Sequence, residues 1–307
     1  MVTVKKGTPK RDGSSLSSLT SPLPFLEVDM KRLLLVLLMC APAWAANDFT
    51  KDVNCVVLYT FEDGIGDNTW SDTSGNGNDL TGTVDGNNAT YYTEGSASSE
   101  RANNLNVSIR SDASLSSTFP LKSTYAGTTR ISMCCWFRYE GSGDSIAGIW
   151  GKYYHSTDER CLTTVVYDDA GTDRLRTIIG QNGGADWINL DFTTVSIQLN
   201  RWYHVGLTYD DSTKDIRMRL YDSVTFDVND VNDVGVGAIP LNNENLTLGS
   251  RQTPLGQNYQ WDGQIDEFVV FNDILTADEI DEIRSGTYGA PTGPIEGNAF
   301  QMYYNPN

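Results

Sequence analysis

The sequence is short of positive charge: of its 307 residues, 22 are Lys or Arg against 40 Asp or Glu. Six of the basic and three of the acidic residues fall in 1–45, so the remainder carries 16 against 37. Such a surface repels nucleic acid and anionic membranes, because phosphate contacts need clustered Lys and Arg. Histidine is scarcer still, with only His155 and His204. There is no C-x-x-C pair and no His/Cys cluster, which argues against a zinc centre. Heptads are absent, and no apolar run is long enough to span a bilayer. What the chain has instead is Asp, Asn, Gly, Ser and Thr gathered in turn clusters, the composition of a loop-rich β-protein.

Residues 30–45 read as a secretory signal peptide. Lys31 and Arg32 follow Met30, a short apolar core comes next, and Ala43-Trp44-Ala45 forms a cleavage triplet. Met30 is therefore the expected start, with 1–29 an over-extended N-terminus. Met39, just before Cys40, is not the small residue that lipidation requires. The chain is expected to be secreted or displayed at the cell surface, without membrane insertion. Four cysteines then remain, Cys55, Cys134, Cys135 and Cys161, an even count that permits disulfides outside the cell. Cys134 and Cys135 point to opposite faces of one predicted strand. The expected bridge joins one of them to Cys161 on a neighbouring strand, leaving Cys55 free.

Apolar stretches of strand length recur at 55–61, 105–109, 129–139, 145–151, 162–167, 175–179, 187–192, 202–209, 216–221, 246–249 and 265–271, separated by Gly, Asn, Asp and Ser turns. One helix is predicted over 277–285. Thr276 and Glu279 form a capping box, Leu275 and Ile280 occupy the staple positions, and Arg284 with Gly286 ends it. The fold class is all-β, a two-sheet antiparallel sandwich or jelly roll with one short C-terminal helix. No gap reads as an interdomain linker. One domain over 50–289 is expected, containing a polar excursion at 63–88 and followed by a loose tail at 290–307.

Four patches in order carry a family resemblance. They are Leu58-Tyr-Thr-Phe-Glu-Asp-Gly64 with Asp72-Thr-Ser-Gly-Asn-Gly-Asn-Asp79; Ile131-Ser-Met-Cys-Cys-Trp-Phe137; Arg201-Trp-Tyr-His-Val-Gly-Leu-Thr-Tyr-Asp210; and Trp261-Asp-Gly-Gln-Ile-Asp-Glu-Phe268 before the capped helix. Each alone is a weak signal, whereas the ordered set resembles the laminin G-like jelly rolls of the concanavalin A-like lectin/glucanase superfamily. One departure is visible. Asp222-Ser-Val stands where that family has a V-D-G hairpin, so a longer or differently shaped turn is expected there. Alternation makes Trp136, Trp202, Tyr209 and Phe271 core aromatics and His204 a structural histidine.

Calcium is the expected cofactor, in a structural role. Hard cations need several oxygens at short range, and Glu62, Asp63, Asp72, Asn76, Asn78 and Asp79 supply them near the first strand. The resemblance implies that the first and last strands lie side by side, which brings Asp266 toward that loop. The competing reading is a hydrogen-bonded Asx-rich turn. Asp72-x-Ser74-x-Asn76-Gly77 starts like an EF-hand loop but lacks the closing Glu, since Thr83 stands in its place. The Val residues within 227–233 exclude that run as well, and it reads as a solvated hairpin.

Function is read from aromatic side chains at loops and strand ends, because sugars stack their C–H faces on flat rings and hydrogen-bond amides and carboxylates at the edges. The candidates are Trp150, Tyr153, Tyr154 and His155, then Gln181, Asn182, Asp186 and Trp187, with Tyr259. A secreted, monomeric, non-catalytic module that binds a glycan is the first reading. An adhesion or structural protein that recognises an extracellular or cell-surface protein is the second. A glycoside hydrolase or polysaccharide lyase is the third: no strand carries the E-x-D-x-E or E-x-D-x-x-E carboxylates of the glucanase branch, and two histidines leave a lyase few options.

Overall fold

The computed structural model describes residues 47–61, 69–82, 90–92, 102–104, 109–111, 115–141, 145–153, 160–182, 186–235, 237–251, 259 and 261–289. The expected signal peptide and the tail at 290–307 lie outside them. A 3-10 turn at Phe49–Lys51 leads into β1 (Cys55–Tyr59), β2 (Thr69–Trp70), β3 (Leu80–Gly82), β4 (Thr90–Tyr92), β5 (Ala102–Asn104), β6 (Ile109–Ser111), β7 (Arg130–Tyr139) and β8 (Ile146–Tyr153). There follow β9 (Arg160–Asp168), β10 (Asp173–Gln181), β11 (Asp186–Asp191), β12 (Trp202–Asp210), β13 (Asp215–Asp222), β14 (Val228–Val234), β15 (Thr247–Leu248), β16 (Gly263–Phe271) and the helix α1 (Ala277–Ser285). The first sheet runs β14-β13-β12-β7-β16-β5-β4, with β1 also paired to β16, and the second runs β11-β10-β9-β8-β15-β6-β3-β2. The architecture is a jelly-roll sandwich of two antiparallel sheets.

Two cores hold it together. Between the sheets, Tyr59, Phe137, Trp150, Tyr203, Trp261 and Phe268 pack in one cluster. Burying each such side chain contributes roughly 1.5–3 kcal/mol. A second cluster lies on the outside of the first sheet, where Leu275, Ile280 and Ile283 of the helix segment meet Phe49, Leu58, Cys134, Val269 and Phe271. The capping box is complete, with Glu279 N–H donating to Thr276 Oγ1 at 3.2 Å and Thr276 N–H donating to Glu279 Oε2 at 2.7 Å. Gly286 terminates the helix in the left-handed region at φ 73°. Arg219 on β13 pairs with Asp281 at 2.6 Å and ties the helix to the sheet.

The Ile265-Asp-Glu-Phe268 signature is a bulge. Asp266 faces Trp136 and Val269 faces Cys134, so the register of β16 on β7 shifts between them. Glu267 takes φ 47° there, and its N–H donates to Asp266 Oδ1 at 2.9 Å. One extra residue resets the alternation. Ile265, Phe268 and Val270 all enter the inter-sheet core, while Val269 and Phe271 serve the helix side.

Some local expectations hold on the structure and others change. The polar stretch over 63–88 holds the short strands β2 and β3, too brief to show a periodicity. The 227–233 run is the outer arm of a hairpin, β14, whose Asp230 pairs with Arg217 and Arg219. The turn at Asp222 is the longer one expected: its carboxylate accepts from the N–H of Val224 and Thr225, and Phe226 takes the left-handed conformation at φ 60°. Trp202 is only half-buried, unlike Trp136, Tyr209 and Phe271.

The expected disulfide does not form, since all four described cysteines are free and buried. Cys134 and Cys135 do face opposite cores. However, β7 and β9 belong to different sheets and are not the neighbouring strands that the bridge was expected to join. Burial raises the Cys55 and Cys161 thiols to about 12, which removes the thiolate needed for reaction. Iodoacetamide at pH 8 is expected to leave Cys55, Cys134, Cys135 and Cys161 unlabelled in the native protein and to label all four after unfolding without reductant. Any of the four requiring prior reduction would contradict the assignment.

His204 lies on β12 with its ring 5.3 Å from that of Trp136. Burial, aided by Arg284, lowers its pKa to about 3. The unfolded chain therefore binds a proton below pH 6.5 that the native protein refuses, and stability from this group falls as pH drops from 6.5 toward 3. The slope is at most about 1.4 kcal/mol per pH unit. Urea unfolding at pH 7 and pH 4.5 should show a smaller acid loss for His204→Phe than for the wild type; equal losses would refute this account.

Candidate binding groove

On the outer face of the second sheet, β8 to β11 build a groove of about 210 Å³. Strand alternation puts Leu175, Thr177 and Ile179 of β10 toward the interior and Arg174, Arg176 and Ile178 outward. On β11 the same alternation turns Ile188 and Leu190 inward, leaving Trp187 and Asn189 exposed. Val165 and Ile178 lie in the groove lining, and both are buried.

The segment after β15 closes the groove at β8. Gly148 and Gly151 permit this approach, because a Cβ on either would come within 2.1 Å of Arg251 backbone atoms. Gly148 N–H also donates to the Tyr259 carbonyl at 3.0 Å. The Arg251 guanidinium is thereby set 4.9 Å from both the Tyr153 and the Tyr259 ring centroids. Two further Arg–aromatic pairs continue across the face. Arg160 lies 4.8 Å from the Trp187 ring, and Arg176 lies 3.8 Å from that of Tyr167. Arg176 also grips Asp191 with two hydrogen bonds of 2.5 and 2.8 Å, and these hold its pKa above the usual arginine value. Burial pushes the Tyr167 phenol up against the pull of Arg176.

The sequence candidates divide on this geometry. Trp187 is 53% exposed and lines the groove, whereas Tyr153, also in the lining, is buried and not the exposed ring expected. Asn182 and Asp186 are exposed close to Trp187 and hydrogen-bond each other at 2.9 Å. Tyr259 is half-buried against Arg251. Trp150 is not a surface ring: it is fully buried in the inter-sheet core, 5.7 Å from Phe268. A bulge between Gly148 and Trp150 turns it inward beside Ile149. Gln181 is buried as well, having the inward parity of Leu175 and Ile179. Tyr154 and His155 lie outside the described residues. Sequence reasoning missed Arg160, Tyr167, Arg176 and Arg251. Tyr167 and Arg176 were signalled by alternation with inward apolar residues; Arg160 is turned outward by the bulge opposite Lys152 and Tyr153, and Arg251 depends on a tertiary approach, so neither had a local signal.

A larger groove of 670 Å³ sits against β12, β13 and β14 of the first sheet, with Asp210, Asp215, Arg217, Asp233 and Ile274 among its lining. Among the described residues no aromatic ring lines it, and these offer no surface on which a sugar stacks.

The metal candidates form a hydrogen-bonded turn. Asp72 accepts at Oδ1 from the N–H of Leu58 and Ser74 and at Oδ2 from Asn78, each at 3.0 Å. Asn78 Oδ1 accepts from Ser116 N–H at 2.8 Å, and Asp79 Oδ1 from Asp72 N–H at 2.8 Å. Asn76 reaches the Cys55 carbonyl through its amide nitrogen, and the Tyr59 hydroxyl donates to the Asn78 carbonyl. Two donors fill Asp72 Oδ1, and Asp72 Oδ2, Asn78 Oδ1 and Asp79 Oδ1 each already accept one, so these oxygens are turned to the loop's own N–H groups, and no three of the described carboxylate, His or Cys side chains converge on a metal position. Strands β1 and β16 do pair, but Asp266 is fully buried opposite Trp136. Glu62 and Asp63 lie outside the described residues. Among the described residues the donor set does not fit a calcium ion. A melting scan with and without EDTA is expected to give the same midpoint, whereas a native-only calcium site would lower it on chelation.

A laminin G-type family model, described as concanavalin A-like lectin/glucanases superfamily, matches residues 113–281, more than half of the chain. The chain belongs to that superfamily. Among solved structures it is similar to a Trypanosoma rangeli sialidase in complex with a difluoro-nononic acid, at 14% identity and a TM-score of 0.51 over 80% of this chain and 34% of that one. It is also similar to the enzymatically active domain of tailspike protein 2 from bacteriophage CBA120, at 15% identity and a TM-score of 0.50 over 68% and 30%. A third likeness is to domain 4 of AbnA, a GH43 extracellular arabinanase from Geobacillus stearothermophilus in complex with arabinotriose, at 15% identity and 0.48 over 75% and 98%. No curated protein sequence matches it. At these identities the solved structures speak to the fold alone.

Proposed function

We propose that the protein is a secreted, non-catalytic module that binds carbohydrate in the groove over β8 to β11. The observation that carries this reading is Trp187, a large ring 53% exposed beside a groove that also presents Tyr167 and Asn189. Flat rings take the C–H face of a sugar, and the amide at the edge reads its hydroxyls. Arg160 over Trp187 and Arg176 over Tyr167 hold these two rings in place before a ligand arrives, which lowers the ordering cost of binding.

The superfamily contains enzymes as well as lectins, so the fold does not decide between them. The groove lining does weigh against hydrolysis. A glycosidase of the common kind uses two carboxylates, about 5 to 9 Å apart, and none of the described lining residues is acidic. Recognition of an extracellular protein is the second reading, since exposed aromatic and arginine side chains are also what protein interfaces favour.

Trp187→Ala is expected to abolish or weaken glycan-array binding by tenfold or more, given about 1.4 kcal/mol or more for a stacked ring, with the melting midpoint retained. Array binding unchanged by the substitution would rule out this face.

A further inference from the structure

The groove is cationic in a protein whose formal net charge is −18. Among the described residues Arg160, Arg176 and Arg251 line it and no acidic side chain does, while Arg176 is paired with Asp191 from the side. Arg251 is the telling member. Its residue is 8% exposed, and among the described residues its side chain has one hydrogen-bond acceptor, the Tyr153 hydroxyl at 3.2 Å. Its Nε–H is buried without an acceptor. A guanidinium carries five N–H donors, and a buried cation that meets, among the described residues, a neutral hydroxyl and two ring faces is a charge suited to receive a counterion. Two half-buried arginines are treated otherwise. Arg219 has two carboxylate partners, and Arg176 has Asp191.

We infer that the groove selects acidic sugars, and that Arg251 receives the ligand's carboxylate while Trp187 stacks the neighbouring ring face. This rests on the glycan-binding reading and narrows it to uronate- or sialate-containing chains. A carboxylate suits the position because the guanidinium is a planar fork that matches its two oxygens. The Tyr153 and Tyr259 rings fix the plane of that fork at 4.9 Å. The backbone approach over Gly148 and Gly151 fixes its depth. Neutral sugars would leave the charge uncompensated, so the site discriminates against them even where they stack equally well.

Isothermal titration of the protein with trigalacturonate and with 3′-sialyllactose, each beside its methyl ester, tests this, because esterification removes the charge and keeps the ring. At least one acid is expected to bind roughly tenfold or more tightly than its ester, and which acid does so identifies the source of the carboxylate. Arg251→Gln is expected to erase that preference, and Trp187→Ala to weaken acid and ester alike. Tyr153→Phe is a milder variant that removes only the hydroxyl accepting from Arg251, and it should retain the preference. Acid and ester binding equally would overturn the inference and leave the glycan reading intact. Binding by neither form of either sugar would overturn both. The wild-type comparison decides the matter even if Arg251→Gln fails to fold.

Discussion

A strand buried on both faces has to satisfy two different packing partners, and period-two alternation alone gives it one fixed allocation. β16 is such a strand: every residue from Gly263 to Phe271 is buried. The sandwich interior takes Ile265, Phe268 and Val270, and the helix takes Val269 and Phe271. The change of parity is made at Asp266 and Glu267, where one residue accepts the left-handed conformation and the Asp266 carboxylate receives its N–H. Positive φ is costly for a residue with a side chain, so the carboxylate is the compensation. Without it β16 would keep one register on β7, and Val269 and Phe271 would lose the helix-facing parity on which α1 docks.

The second sheet solves a comparable problem on its outer face. A strip of small residues on β8 lets the chain after β15 lie directly on the sheet, and that contact positions Arg251. The arginine side chains then do two jobs. Their stems cover apolar floor residues such as Val165 and Ile178, and their charged heads lie against aromatic rings. Cation–π contacts of this kind hold a cation more cheaply than a buried ion pair, because a ring is not itself desolvated at great cost. They leave the guanidinium able to accept an anion, which a carboxylate partner would not.

Much of the architecture was legible because local chemistry and tertiary structure agreed. The helix bounds follow from Thr276, Glu279 and Gly286, each of which makes the bond its type suggests. The long strands follow from alternation. Legibility failed where alternation is interrupted. Trp150 looked like a ring at a strand end, and the bulge beside it turns it into the core. Gln181 could have been placed correctly by carrying the parity of Ile179 two residues further. The acidic and amide cluster after β1 invited a cation because composition alone does not reveal that backbone N–H groups already point at its oxygens. Arg251 was invisible, since its neighbours Tyr153 and Gly148 are about a hundred residues away in the chain.

The contrast between the groove and the whole molecule has its own consequence for an acidic ligand. At long range the net charge of −18 repels an anionic glycan, whereas within the groove three guanidinium groups attract it. These two effects have different reach. The repulsion comes from exposed carboxylates spread over the surface and is screened beyond about 8 Å at physiological ionic strength. The attraction acts at contact distance inside a partly dry groove, where screening is weak. Added salt therefore removes the unfavourable part first, so moderate ionic strength hinders encounter less than low ionic strength does. This is the reverse of a basic glycan-binding surface, whose affinity falls as salt rises, and it suits a binder that must distinguish one acidic sugar from a background of polyanions rather than adhere to all of them.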